Sequence, residues 1–236
     1  MSRKLKNKQY KKYSYMEDID SDDTFYYIAG HTDGGAPFGI TWEEIISQNL
    51  KLRQANKKDA KVVAELTHIA IDDIAERLTG KTKKQNIIDS LAHFFREEDN
   101  RLSYQNTLVA DVEGEIAGIV VYYPGEEGPR LDEPFLKSLR KKQNDNSIFL
   151  DKEADNGDFY IDTLCVQESY RGYGIGTALI KEVERLAYER GYTISSLNVA
   201  HDNPTAKSLY KHLGYKDAKV IQINGHFYDY MVKRIR

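Results

Sequence analysis

Hydrophobic and polar positions follow two different periods along the chain, and this change of period predicts an α/β protein. After residue 58 the apolar positions recur at i, i+3 and i+4, which predicts a helix with one apolar stripe made of Val62, Val63, Leu66, Ile69, Ala70 and Ile74. A second helix is predicted over residues 83–96, with its inner face formed by Ile87, Ile88, Leu91, Phe94 and Phe95. Two apolar strands, at 107–112 and 116–123, are joined by a short turn around Gly114, which predicts a hairpin.

The pattern is sharper in the second half of the chain. A strand over 159–166 precedes a glycine-rich turn, a helix is predicted over 177–190, and another strand covers 193–199. A strand–helix–strand order implies a right-handed crossover and therefore a parallel pair of strands. A short helix at 205–212 and a final hairpin around Asn224-Gly225 complete an α/β fold with a mixed sheet.

The N-terminal part differs from the rest in composition. We predict a basic flexible tail at residues 1–16, an arm at 17–50 that contains a strand, a turn and a helix, and one domain at 51–236. Thr41 and Glu44 have the spacing of a capping box at the start of the arm's helix. Within the domain, residues 124–158 form a long polar insertion that includes a helical pattern. The sequence leaves open whether the insertion and the arm have a function.

Composition excludes several classes of protein. The chain has 236 residues, 40% of them hydrophobic, and a net charge of −3, so no global field favours nucleic acid as a partner. Its single cysteine, Cys165, excludes an intramolecular disulfide, and no CxxC or HExxH spacing predicts a metal site. No apolar run reaches the roughly 20 residues of a membrane span, and no secretory signal is recognisable. We therefore expect a cytoplasmic protein without metal and without membrane contact.

The glycine-rich turn carries the first candidate chemistry. Arg171-Gly172-Tyr173-Gly174-Ile175-Gly176 lies between a predicted strand and the start of a helix. Free amides at a helix start, together with the helix dipole, form an anion site that suits a pyrophosphate, and glycines allow close approach of the main chain. A dinucleotide-binding GxGxxG would need a third glycine, and a P-loop would need GK[ST]; both are missing.

Two motifs together resemble the Gcn5-related N-acetyltransferase (GNAT) superfamily. Its phosphate loop, [RQ]xxGx[GA], is matched by Arg171, Gly174 and Gly176. Its second motif, Nxx[AS]xxLYxxxGF, is matched from Asn203 to Tyr215, with tyrosine in place of the commoner final phenylalanine. The resemblance runs from about residue 56 to the end of the chain. It implies a mixed, mostly antiparallel central sheet flanked by helices, with a parallel pair splayed at the acyl-CoA site.

The resemblance also implies where acetyl-CoA, the co-substrate, would bind. The pantetheine arm is expected between two strands, one ending at Val166 and the other at Asn198, and to pair with the main chain of Leu164, Cys165 and Val166. Asn203 is expected to bond the same arm. The pyrophosphate is expected at the main-chain amides of Arg171, Gly172, Tyr173, Gly174, Ile175, Gly176 and Thr177.

The same resemblance implies catalytic roles for two residues. Tyr210 lies where the family's general acid sits, and it would protonate the leaving CoA thiolate. An amine must lose a proton before it attacks, and Asp162 is our candidate base, with Tyr160 or ordered water as alternatives. On a regular strand, Asp162 would face the same side as Tyr160, Leu164 and Val166; structural roles for Asp162 also remain open. Main-chain amides near Leu164–Val166 would hold the oxyanion, and covalent catalysis by Cys165 is disfavoured.

The predicted function is acyl transfer, most simply acetyl, from acyl-CoA to a primary amine. Five carboxylates of the insertion would suit a cationic acceptor if they line the cleft: Asp132, Glu133, Asp151, Glu153 and Asp155. One alternative is a non-catalytic acyl-CoA-binding module that acts through a protein partner. Another is docking of the basic tail on nucleic acid or ribosomes. The sequence leaves open the acceptor, the acyl chain preference and the oligomeric state, a homodimer included.

Overall fold

A computed structural model describes residues 24–236. The predicted basic tail and residues 17–23 of the predicted arm lie outside the described residues. The strands are β1 (Phe25–His31), β2 (Pro37–Thr41), β3 (Leu50–Gln54), β4 (Thr107–Val112), β5 (Glu115–Pro124), β6 (Phe159–Val166), β7 (Ile194–Ala200), β8 (Lys216–Ile223) and β9 (His226–Arg234). The helices are α1 (Trp42–Asn49), α2 (Ala60–Ile71), α3 (Asp73–Thr79), α4 (Lys84–Arg96), α5 (Gly128–Gln143), α6 (Ile175–Glu189) and α7 (Pro204–His212).

The main sheet has the strand order β3-β4-β5-β6-β7-β9-β8. Every neighbouring pair in it is antiparallel except β6 and β7, which are joined through α6 and run parallel. The predicted mixed, mostly antiparallel sheet with one parallel pair is therefore confirmed. Among the described residues, no helix is long and apolar enough to cross a membrane.

Helices cover both faces of the sheet. On one face, buried side chains of α2 and α4 such as Leu66 and Leu91 share a cluster with Ile119 of β5. On the other face, Leu179 and Val183 of α6 pack with strand residues of a second cluster. Because β5 is covered on both sides, its sequence is a nearly continuous apolar run instead of an alternating one.

A bulge in β6 creates the opening on which the site is built. Val121 of β5 pairs with Thr163, whereas the next residue of β5 pairs with Ile161, so Asp162 has no partner in the ladder. On its other side β6 pairs with β7 only over residues 159–161. The bulge also corrects part of the expected facing of this strand, because Asp162 shares the Arg101 and Glu153 network with Tyr160 but not with Leu164 and Val166. Leu164 and Val166 pack with the α6 cluster, whereas the Asp162 carboxylate points to other partners, described below.

The helix predicted after residue 58 is interrupted. α2 ends at Ile71 and α3 begins at Asp73, because Asp72 between them has φ 40° and ψ −113°, outside the helical region. The predicted apolar stripe is wrong at Ile69, which is 61% exposed, and at Ala70, which is also exposed. The break turns the chain, and Ile71 and Ile74 then line the opening beside β6.

The N-terminal segment forms a hairpin and a helix. β1 and β2 pair antiparallel, so part of the region predicted as a turn is a strand. Thr41 caps α1, and the capping box with Glu44 is present as predicted. β3 was not predicted; it pairs with β4 at the edge of the main sheet, and the predicted boundary at residues 50/51 falls inside it.

Candidate active site

The site lies where β6 and β7 separate. A cavity of ≈ 180 Å³, here called the splay cavity, opens between the two strands. Five of the predicted site residues line it: Asp162, Leu164, Asn198, Asn203 and Tyr210. Since these residues come from β6, β7, α7 and its N-cap, the fold brings the second sequence motif to the opening between the two strands.

The glycine loop lies at the N-terminus of α6. Gly172 and Gly174 have φ of 88° and 76°, and a Cβ on either would meet no atom within 4 Å. Gly174 is the N-cap of α6, and no side chain caps the amides of the first helical turn. Arg171 donates from Nε to the main-chain oxygen of Val166 at 3.1 Å, which ties the loop to the end of β6. Open amides at the start of a 15-residue helix suit a phosphate group.

Tyr210 reaches the splay cavity from α7. Asn203 orients this helix, because its side-chain oxygen accepts from the amide of Ala206 at 3.0 Å. The Tyr210 side chain is buried, and its ring packs edge-on against Tyr215 with 6.2 Å between the centroids. Burial raises the pKa of Tyr210 to about 12. The hydroxyl therefore stays protonated at neutral pH and can act as a proton donor.

A buried arginine forms ion pairs with three carboxylates beside the cavity. Arg101, with a side chain 4% exposed, pairs with Asp162 at 2.5 Å, Glu153 at 2.7 Å and Asp132 at 3.4 Å. Burial alone would lower the pKa of Arg101, but the charges of these carboxylates raise it well above its ordinary value. Three carboxylates against one guanidinium leave an excess of negative charge near the cavity.

Asp162 is fully engaged within this network. One of its oxygens accepts from Nε and Nη2 of Arg101, and from the hydroxyl of Tyr123 at 2.6 Å. The other accepts from the hydroxyl of Thr163 at 2.7 Å. Burial raises the pKa of Tyr123 well above its ordinary value, so that hydroxyl keeps its proton as a donor. The bulge thus places Asp162 where four donors hold it in a fixed position.

Glu153 bridges the two strands that separate. Its carboxylate accepts from the hydroxyl of Tyr160 on β6 at 3.0 Å, and its main-chain oxygen accepts from Nδ2 of Asn198 on β7 at 2.9 Å. Asn198 also donates to the hydroxyl oxygen of Tyr160 at 2.8 Å. The chain segment of residues 144–158, which follows α5, therefore closes one end of the splay cavity.

A second cavity of ≈ 170 Å³, the side cavity, lies between α5 and the segment 144–158. Arg101 and Glu153 line both cavities. Apolar side chains and further charged residues complete the side cavity, among them Tyr123, Asp132, Glu133, Leu136, Phe149 and Leu150. Burial raises the pKa of Asp132 to about 6, against the opposing effect of the Arg101 charge.

Cys165 faces away from this chemistry. It packs in the cluster under α2 and α4, on the opposite side of the sheet from α6. Burial raises the pKa of its thiol, although the charge of Arg171 acts in the opposite direction. A buried thiol that keeps its proton is a poor nucleophile. Among the described residues, no group of histidine, cysteine or carboxylate side chains has the arrangement of a metal site.

The sequence did not point to Arg101, and it named Glu153 only as one of five carboxylates that would suit a cationic acceptor. Arg101 lies in a polar stretch after α4, where a charged residue predicts a solvated surface. Its partners are 31, 52 and 61 residues away in sequence, so no local pattern connects them. Only the folding of α5 and the segment 144–158 over the bulge brings them together.

Comparisons with known proteins agree with this geometry. The sequence matches the family described as Acetyltransferase (GNAT) family over residues 71–215. A solved acetyltransferase structure is 33% identical with a TM-score of 0.66, and the match covers 79% of this chain and 100% of that one. An N-acetyltransferase structure from Staphylococcus aureus Mu50 is 28% identical with a TM-score of 0.68, covering 78% and 100%.

A curated relative is similar over a shorter stretch. Thialysine N-epsilon-acetyltransferase of Mus musculus is 41% identical over 58 residues, which is 25% of this chain and 34% of that protein. The Bos taurus protein of the same name is 40% identical over an equal length. The chain thus matches about a third of the length of these curated relatives.

Proposed function

The chain belongs to the acetyltransferase (GNAT) family, and from this premise we propose that it transfers an acetyl group from acetyl-CoA to a primary amine. The observation that carries the proposal is the position of Tyr210. Tyr210, a largely buried residue, lines the cavity that opens between β6 and β7. The glycine loop follows the end of β6, so an anion site and a proton donor flank one gap.

The described residues fit acetyl-CoA. The free amides at the start of α6, from Gly174 to Thr177, would hold the pyrophosphate, with Arg171 beside them. Beyond Ile161 the edge of β6 that faces β7 has no strand partner among the described residues, so the main chain of Leu164, Cys165 and Val166 is available to the pantetheine arm, apart from the Val166 oxygen that accepts from Arg171. The side-chain oxygen of Asn203 caps α7, so any bond from Asn203 to this arm would use its amide group.

Acetyl-CoA supplies an activated thioester, whose carbonyl carbon is attacked by the nitrogen of the acceptor. In the proposed mechanism, main-chain amides near Leu164–Val166 stabilise the oxyanion of the tetrahedral intermediate. The carbon–sulfur bond then breaks, and the hydroxyl of Tyr210 gives its proton to the sulfur as a thiol is released. Tyr210 regains a proton as the attacking nitrogen loses one. The high pKa of Tyr210 keeps the donor form populated at neutral pH.

The route by which the ammonium loses its proton involves the carboxylates around Arg101. The prediction that Asp162 accepts this proton stays a prediction. Its four hydrogen bonds favour a different contribution, in which the Asp162 charge fixes Arg101 and the electrostatic field of the cavity. The name of the mouse relative, which specifies N-epsilon acetylation, supports a primary amine as acceptor.

The test is release of free thiol from acetyl-CoA with a panel of primary amines: polyamines, amino acids, aminoglycosides and lysine peptides. The proposal predicts thiol release with at least one class, together with an acceptor mass increased by one acetyl group. Tight binding of acetyl-CoA without turnover on any acceptor would contradict it and would support the non-catalytic binding module.

A further inference from the structure

The acceptor side of the splay cavity ends at Glu153. The segment 144–158 is attached on both sides of this residue: Asp151 accepts from the main-chain amide of Asn224 at 3.0 Å, and the amide of Asp155 donates to the hydroxyl of Tyr230 at 3.0 Å. Arg101 and Glu153 line both the splay cavity and the side cavity. Glu153 therefore stands at the boundary between the two cavities, held by bonds from several elements.

Two residues at this boundary, Glu153 and Asn198, have a side-chain oxygen without a donor among the described residues. Both bonds to the Glu153 carboxylate, from Tyr160 and Arg101, go to Oε2, and within residues 24–236 no donor bonds Oε1. The side-chain oxygen of Asn198 is buried and also has no donor in this part of the chain. Asn198 is hydrogen-bonded to Glu153, so the two residues are neighbours. The Asn198 oxygen is buried without a donor, which is costly, and an ammonium has enough N–H groups to donate to it and to Oε1 of Glu153.

Charge at the two cavities favours a cation. The two cavities are lined by two positive side chains, Arg101 and Lys152, and by five carboxylates: Asp132, Glu133, Asp151, Glu153 and Asp162. In a partly buried site such an excess attracts cations and repels anions more strongly than it would in water. Apolar side chains of the side cavity, such as Leu136 and Leu150, suit a methylene chain between two charges.

We infer that Glu153 selects the acceptor, and that the acceptor is a linear amine carrying a second positive charge, whose distal cation lies toward the side cavity. This inference rests on the proposed acetyl transfer. The reacting nitrogen lies in the splay cavity, and its ammonium form is bound by Glu153 and Asn198. Asn198, which the family resemblance placed at the cofactor site, is thereby assigned to the acceptor. The insertion is then part of the site, because it supplies the residue that recognises the substrate.

The first arm of the test uses three acceptors of equal chain length with the wild-type protein and saturating acetyl-CoA. They are 1,5-diaminopentane, n-pentylamine and 5-aminopentanoate, which carry a positive, a neutral and a negative distal group. The inference predicts that kcat/KM falls in this order, with the diamine favoured over pentylamine by roughly tenfold or more. Equal kcat/KM for the three amines would overturn it.

The second arm compares Glu153→Gln with Glu127→Gln. Both remove one negative charge from the insertion, but Glu127 is absent from the lining of both cavities and pairs with Arg130. Glu153→Gln should raise KM for the diamine by roughly 10- to 100-fold, the range for loss of a charge-assisted hydrogen bond to the reacting ammonium. The KM for acetyl-CoA should not change, and Glu127→Gln should behave as wild type.

An unchanged diamine KM in Glu153→Gln would overturn the inference even if the enzyme is active. Thermal unfolding of both variants shows whether either is misfolded, and the acceptor ranking of the wild type does not depend on any variant. Absence of thiol release with every amine would contradict the proposed function itself, and the inference with it. The two failures are therefore distinguishable.

Discussion

Arg101 donates from both Nε and Nη2 to a single oxygen of Asp162, at 2.8 and 2.5 Å, and both side chains are 4% exposed. This pair connects the polar stretch after α4 to the one residue of β6 that has no partner in the ladder. The bulge that opens the sheet and the charge network beside the opening are thus one structural feature. We expect changes to this pair to affect both stability and the acceptor side of the cavity.

Replacing Arg101 with methionine should destabilise the protein strongly. The variant leaves Asp162, Glu153 and Asp132 buried without their cation, and breaking a buried ion pair from one side costs about 3–5 kcal/mol. Urea unfolding measures the free-energy change. In Arg101→Met combined with Asp162→Asn, part of the loss should be recovered, because one uncompensated charge is removed. Strictly additive losses would show that the two side chains are not coupled.

Stability should fall as the pH rises through the range set by Asp132. Burial raises the pKa of Asp132 from 3.8 to about 6, so between these values the folded state binds more protons than the unfolded state. Ionisation of Asp132 therefore lowers the free energy of unfolding. The loss is complete above about pH 6 and amounts to about 3 kcal/mol at most.

Asp132→Asn should remove this cost. Urea unfolding at several pH values should show the variant gaining stability relative to wild type between pH 4 and pH 7. A constant difference between the two proteins across this range would contradict the raised pKa.

Gly174 and Gly191 provide a matched pair of backbone positions. Both have positive φ, 76° and 85°, and a Cβ on either meets no atom within 4 Å, so alanine should cost about 1 kcal/mol of strain at each. Gly174 caps α6 at the proposed pyrophosphate site, whereas Gly191 follows the end of the same helix.

Calorimetric titration with acetyl-CoA separates the two effects. Gly174→Ala should weaken binding, because the new Cβ occupies space beside the free amides, whereas Gly191→Ala should bind as wild type does. Equal affinities in the two variants, with equal losses of stability, would place the pyrophosphate elsewhere.

Local features of this protein were predictable from sequence, and long-range ones were not. The glycine loop, the Thr41 capping box and the turn at Asn224-Gly225 each depend on a few consecutive residues, and each was predicted correctly. The alternation of Leu50 and Leu52 with polar residues is a strand signal, but five residues of it were too short to be distinguished from a linker.

The bulge at Asp162 and the helix break at Asp72 could not be predicted in this way. Each depends on packing between distant segments. The bulge changes which side chains face the cavity, and a period-two pattern assumes that the strand is regular. The role of Glu153 could not be predicted for a similar reason, since its partners come from three other parts of the chain.

The central claim is that the cavity between β6 and β7 catalyses acetyl transfer with Tyr210 as the proton donor. The most direct test compares wild type with Tyr210→Phe, measuring turnover by thiol release and acetyl-CoA affinity by calorimetry. The claim predicts that kcat falls by roughly 100-fold or more while the affinity stays nearly the same, because general acid catalysis contributes to the transition state and not to binding. A variant that turns over at the wild-type rate, or a wild type that binds no acetyl-CoA, would contradict it.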